Sequence, residues 1–318
     1  MVDQPSSMRD TALLGMGCAA GVLLAPQMPL VGLPVAGAAA AGLAFRGNRG
    51  VAVAGLAAGV GLAAFALPAS AVFAAAVALA VFATIALLPV RSPQLVGALV
   101  IVLVTVGAVG ADVLVARSAG TTLIGAVKEQ AAVSAAALQQ VLGATGELAD
   151  QLKTAQAALL MLWPSFYAQT AVYGAVFLIA AVAWGARRSG SQVEVPRNRD
   201  LDLTGHVLWG LVVGLIVLAA APLFSGTATA ARAVALNLLF VTRTLFFIQG
   251  VAVFSAVFDV PKTGRIKMVA LYSVLWFFDQ FLLIVSLIGL LDFWVNFRRL
   301  PRDGSSVQAR LEEPPTSV

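Results

Sequence analysis

The feature that most constrains this chain is a series of nine apolar stretches, 11–26, 30–45, 51–67, 70–90, 94–116, 164–186, 205–224, 231–258 and 268–296, each 16 to 29 residues long. A run of about 20 apolar residues crosses the hydrocarbon core of a bilayer as a helix, because in lipid the backbone must satisfy its own hydrogen bonds. Hydrophobic residues make up 60% of the 318, and only 11% are charged. A soluble domain carries roughly a quarter charged residues, so there is too little polar surface for a water-soluble globule. The fold class that follows is all-α, a polytopic transmembrane helical bundle with about nine spans (range eight to ten) and an external amphipathic insert.

The breaks between stretches are chemical. Pro26 and Pro29, Arg46 to Arg49, Pro68 with Ser70, and Arg91-Ser-Pro93 each place a charge or a backbone restriction where a continuous helix tolerates it poorly. With the amino terminus in the cytoplasm, the inside loops hold eleven basic residues and the opposite side holds four, namely Arg117, Lys128, Lys153 and Arg232. That asymmetry sets the orientation and accounts for the net charge of +5 without nucleic acid. The expected location is the bacterial cytoplasmic (inner) membrane, with the lipid bilayer as first partner. One stretch conflicts with nine single crossings. As one helix, 268–296 would run about 43 Å, beyond the ~30 Å core, and nine crossings would leave Arg298, Arg299, Arg302 and Arg310 outside. A broken helix or hairpin over 268–296 is one resolution.

The chain divides into a small-residue-rich transmembrane half (1–117), an external amphipathic segment (118–162), an aromatic-rich transmembrane half (163–297) and a polar tail (298–318) expected to be disordered. Within 118–162, Val127, Ala131, Ser134, Leu138, Val141, Thr145, Leu148, Leu152, Ala155, Leu159 and Leu162 form a stripe with alternating spacings of four and three. This pattern predicts an amphipathic helix, or a helical hairpin broken near Gly143 and Gly146. It serves either as a cover for the bundle or as a docking surface for membrane protein partners. In the first half, Gly17 and Gly21, and Gly55 and Gly59, are four apart. Small residues at that spacing let helices approach closely in lipid, within one bundle or across a dimer seam.

Catalytic signatures are absent, and the sequence predicts no enzyme, no cofactor and no metal site. Cys18 is the single cysteine and reads as a packing residue; His206 is the single histidine and has no companion with metal-ligand spacing. No glycine-rich loop ends in Lys-Ser or Lys-Thr. Asp200 and Asp202 read as a solvated loop and a helix cap. The informative residues are charges inside apolar runs. Arg243 lies near the centre of 231–258 and Asp279 near the centre of 268–296. Each costs about 2.5–3.5 kcal/mol on insertion scales, so a structural ion pair between consecutive helices is expected. Asn237, Gln249, Tyr272, Gln280 and Ser286 complete a candidate polar site, with Tyr272, Asp279 and Ser286 seven apart on one helical stripe. The group reads as a lock for helix register, as a pocket for a small solute, or as a contact with a partner in the membrane. Asp292, Asn296 and Arg299 are placed on one face at the end of the last helix.

Several motifs carry a resemblance. The ending Gly289-Leu-Leu-Asp292 to Phe297-Arg298-Arg299, Arg46-Gly47 after the second stretch, Trp163-Pro164 after the insert, and Asn237 leading to Gln249-Gly250 resemble the YybS-like predicted membrane proteins (domain of unknown function 2232). That resemblance implies no established biochemical activity. It implies a remote similarity to the substrate-binding membrane subunits of energy-coupling-factor transporters, hence a small-solute-binding bundle that works with separate ATPase and coupling subunits. Two functions are therefore expected from different classes: a solute-binding or transport-related membrane subunit, and a non-catalytic envelope assembly or scaffold protein acting through partners of 118–162.

Overall fold

A computed structural model describes residues 8–66, 68–191, 201–224, 226–258 and 265–300. The tail expectation, apart from its first residues, and Asp200 lie outside these. All described secondary structure is helical. The order is α1 (Met8–Leu24), α2 (Pro29–Ala44), α3 (Arg49–Ala66), α4 (Ser70–Leu87), α5 (Pro93–Ser118), α6 (Leu123–Leu142), α7 (Glu147–Arg188), α8 (Val207–Ala220) with a 3₁₀ turn at Ala221–Leu223, α9 (Ala228–Val257), α10 (Arg265–Leu282) and α11 (Ile284–Val295). The breakers also start helices. Pro29 and Pro93 open α2 and α5, where a missing N–H costs nothing, and the Ser92 side chain accepts a bond from the Leu95 N–H.

Each of the nine apolar stretches falls on helix, but not every one makes a crossing by length and composition. Among the described residues five helices qualify, α3, α4, α5, α7 and α9, and the α10–α11 pair makes a sixth if counted as one bent span. Helix α2 has only 16 residues, about 24 Å, yet ten of them are buried. It is a short central helix packed by α1, α3, α4 and α7. The 268–296 stretch is broken: α10 and α11 meet at Leu283 with a bend of 93°.

The described residues form two compact units, Met1–Val195 with Val212–Val241, and Pro196–Leu211 with Thr242–Val318. In the first, Val22, Leu33, Leu43, Val77, Val100 and Leu178 build a dry core. Its glycine pairs work within the chain. A Cβ on Gly59 would stand 2.7 Å from the Ala19 carbonyl oxygen, and one on Gly55 2.8 Å from that of Gly15, so α3 lies directly on the backbone of α1. The 118–162 segment is a helical hairpin. Helix α6 ends at Gly143 in the left-handed conformation (φ 58°), and the return arm starts after Gly146. That arm does not stop before the next span. Helix α7 runs 42 residues, about 63 Å, roughly twice the hydrocarbon core, so its polar first half projects beyond its apolar second half. Arg187 and Arg188 close it, with the Arg188 guanidinium 4.5 Å over the Trp184 ring.

Candidate functional site

The second unit is organised by the break between α10 and α11. A helix end leaves carbonyls without partners at its carboxy terminus and N–H groups without partners at its amino terminus. Here one ion pair serves both. Asp279 lies on α10, yet its carboxylate accepts from the Ser286 N–H on α11 (2.8 Å) and from the Ser286 hydroxyl (2.7 Å). It thus caps the positive end of α11. The Arg243 guanidinium, from α9, donates to the Asp279 carboxylate at 3.2 Å and to its main-chain carbonyl at 2.5 Å, near the negative end of α10. The expected pair is therefore formed, with Asp279 buried. The expected single stripe through Tyr272, Asp279 and Ser286 is not, because the helix turns at Leu283 and Ser286 reaches Asp279 from the far side of the bend. Leu283 sits at φ 54°, a conformation that costs an L-residue about 1–2 kcal/mol. The clasp on either side holds it there.

A second polar node lies at the other end of α11. Arg298 bridges Asp292 (2.9 Å) and Asp202 (3.0 Å) and donates to the Leu201 carbonyl. The Gln249 amide joins the same carboxylates at 3.0 and 2.7 Å and accepts from the Leu203 N–H at 3.1 Å. Gln249, Asp292 and the Arg298 side chain are buried. Two sequence readings are corrected here. Asp202 is neither a solvated loop residue nor a helix cap, since α8 begins only at Val207, but part of this node. Arg298, not Arg299, partners Asp292, because α11 ends at Val295 and Asn296 turns left-handed (φ 48°), which rotates the following residues off the helical face. The adjacent glycines permit the approach: a Cβ on Gly289 would stand 1.9 Å from the Phe246 carbonyl oxygen, and one on Gly250 2.0 Å from that of Val285.

The remaining candidates separate. Tyr272 pairs with the Ser255 hydroxyl at 2.9 Å. Gln280 is exposed and reaches only the Trp276 carbonyl, one turn back. Asn237 belongs to the first unit and repairs a helix. Pro164 inside α7 breaks the regular ladder. The Asn237 carboxamide fills the gap like an inserted peptide group, accepting from the Ser165 N–H (2.8 Å) and donating to the Met161 carbonyl (2.7 Å). None of the seven candidates lines a cavity described below.

The open volume lies in the first unit, between α5 and the hairpin. A cavity of about 540 Å³ is walled by the predicted stripe, including Val127, Ala131, Leu138, Leu152 and Leu159. A second, of about 280 Å³, adjoins Pro26, Ser70, Phe73 and Thr170. Both are lined by Asp112, Val115, Phe166 and Tyr167. The Tyr167 hydroxyl donates to the Asp112 carboxylate. Sequence reasoning passed over Asp112; the available signal was a lone carboxylate within the 94–116 run. No group of three or more His, Cys, Asp or Glu side chains placed to hold a metal occurs among the described residues. The arrangement offers binding chemistry, an apolar volume with one hydrogen-bonded charge at its edge.

In comparison with known proteins, the profile of a family described as "Predicted membrane protein (DUF2232)" matches residues 13–293. No curated protein and no solved structure matches the chain.

Proposed function

The chain belongs to the DUF2232 family of predicted membrane proteins, and from that premise we propose that it is a non-catalytic, solute-binding, transport-related membrane subunit that takes its solute between α5 and the α6–α7 hairpin. One observation carries this reading: the cavity of about 540 Å³ with a largely apolar wall and a few polar groups, Asp112, Gln130, Gln156 and Tyr167 among them. Small-molecule sites have this size and this ratio of apolar to polar lining. The polar clasp at α10–α11 is a poorer candidate. Broken helices bind anionic solute groups at their amino-terminal ends in many transporters, but here Asp279 already occupies that position on α11. The clasp supports the bundle and the cavity binds.

The test is native mass spectrometry of the full chain released from lipid nanodiscs. A small molecule retained by the unsubstituted protein should be lost in Ala131→Phe, which fills the cavity from α6. Identical bound mass in both proteins would remove the basis for the reading. The scaffold alternative draws on exposed apolar residues near the hairpin turn, Val141 and Leu142. It would be favoured if Val141→Ser strips copurifying membrane proteins while the bound small molecule stays.

A further inference from the structure

Resting on that reading, we infer that the solute is a single-chain amphiphile with a cationic ammonium head, its chain in the larger cavity and its head at Asp112. The two cavities meet at Asp112 and Tyr167. They differ in chemistry. The larger is walled mainly by Leu, Ala and Val side chains of both hairpin arms, with Gln130, Ser134 and Gln156 among them, and its predominantly apolar wall suits a hydrocarbon chain. The smaller adds the hydroxyls of Ser70 and Thr170, suited to a polar group. Among the described residues, Asp112 is the one charged side chain that lines either cavity; no described Lys, Arg or His does.

An ionised carboxylate has room for about four hydrogen bonds, and the Tyr167 hydroxyl supplies one. Asp112 is exposed beside the apolar lining, so a cationic head gains coulombic attraction there, whereas a carboxylate or phosphate head meets like-charge repulsion. Position agrees with chemistry. Asp112 stands six residues before the end of α5, about 9 Å along the axis, within reach of the interface where charged heads reside. A molecule entering there leaves its head at Asp112 and lays its chain along the stripe from Leu159 to Leu138.

Trp163 lines the larger cavity and supplies the readout. In nanodiscs, with the other four tryptophans replaced by Phe, bromine-labelled long-chain amine, alcohol and carboxylate are compared as quenchers of Trp163 fluorescence. The amine should quench at about tenfold lower concentration than the alcohol, a difference of about 1.4 kcal/mol, with the carboxylate weakest. Asp112→Asn retains an acceptor for Tyr167 and should abolish the amine's advantage over the alcohol. Equal quenching by all three, a carboxylate preference, or an amine preference that survives Asp112→Asn would overturn the assignment of class. If none of the three quenches Trp163 more than in the Ala131→Phe background, the binding reading itself fails. The same ranking by native mass spectrometry on the unsubstituted chain keeps the answer independent of the tryptophan replacements.

Discussion

The amino-terminal helices and the α9–α11 region meet one physical demand with different residues. Both must hold helices together where lipid competes equally for apolar surface, so association depends on close packing and hydrogen bonds. Helices α1 to α5 use small side chains. Ala36, Ala40, Ala74 and Ala80 are fully buried, and α1 and α3 approach until Gly55 and Gly59 touch opposing backbone. The α9–α11 region adds buried charge, with Arg243–Asp279 at one end of α11 and Gln249, Asp292 and Arg298 at the other. The difference follows from continuity. An unbroken helix satisfies its own backbone and needs only a snug neighbour. A helix bent by 93° exposes backbone groups at the bend, and these require side-chain partners.

The largest expected effect breaks the clasp. Asp279→Ala removes the ion pair and the α11 cap together and should destabilise the protein by about 3–5 kcal/mol, measured by denaturant unfolding in micelles. The exchanged pair, Arg243→Asp with Asp279→Arg, should not restore stability, because an arginine at position 279 cannot accept from the Ser286 N–H. Recovery in the exchanged protein would reduce the clasp to a simple pair of charges.

A smaller effect tests whether the first unit is as purely steric as its core suggests. Asn237→Leu should cost about 1–3 kcal/mol by stranding backbone groups of α7. In a Pro164→Ala background, where the helix ladder can close, the same change should cost much less. Equal costs in both backgrounds would show that Asn237 does something other than repair α7. The smallest effects lie outside the networks. Tyr272→Phe should cost about 0.5–1.5 kcal/mol through the lost Ser255 bond, and Gln280→Ala within about 0.5 kcal/mol, read by the same unfolding curves.

Most of the motif residues that carried the family resemblance turn out to be contact partners. Pro164 is answered by Asn237, Gln249 by Asp292 and Gly250 by the backbone under Gly289. The pairing of Arg243 with Asp279 was legible because a charge in an apolar run must find its opposite at similar depth. The node at Arg298 was not, since its geometry depends on where α11 stops, and that depends on a left-handed Asn296 that no periodicity announces. The hairpin was legible from its stripe and two glycines. The cavity beneath it was not, because a stripe specifies which residues face inward but not whether they meet.

By itself the sequence determined a helical membrane protein, the places where its apolar runs stop, and the need for two opposite charges to find each other. Those properties follow from hydrophobicity and backbone hydrogen bonding, which act along the chain. Tertiary structure alone decided that 268–296 bends, that Asn237 serves α7, and that Asp112 stands beside open volume. Each of these depends on which side chains arrive at one point from distant parts of the chain, and local periodicity carries no information about that meeting.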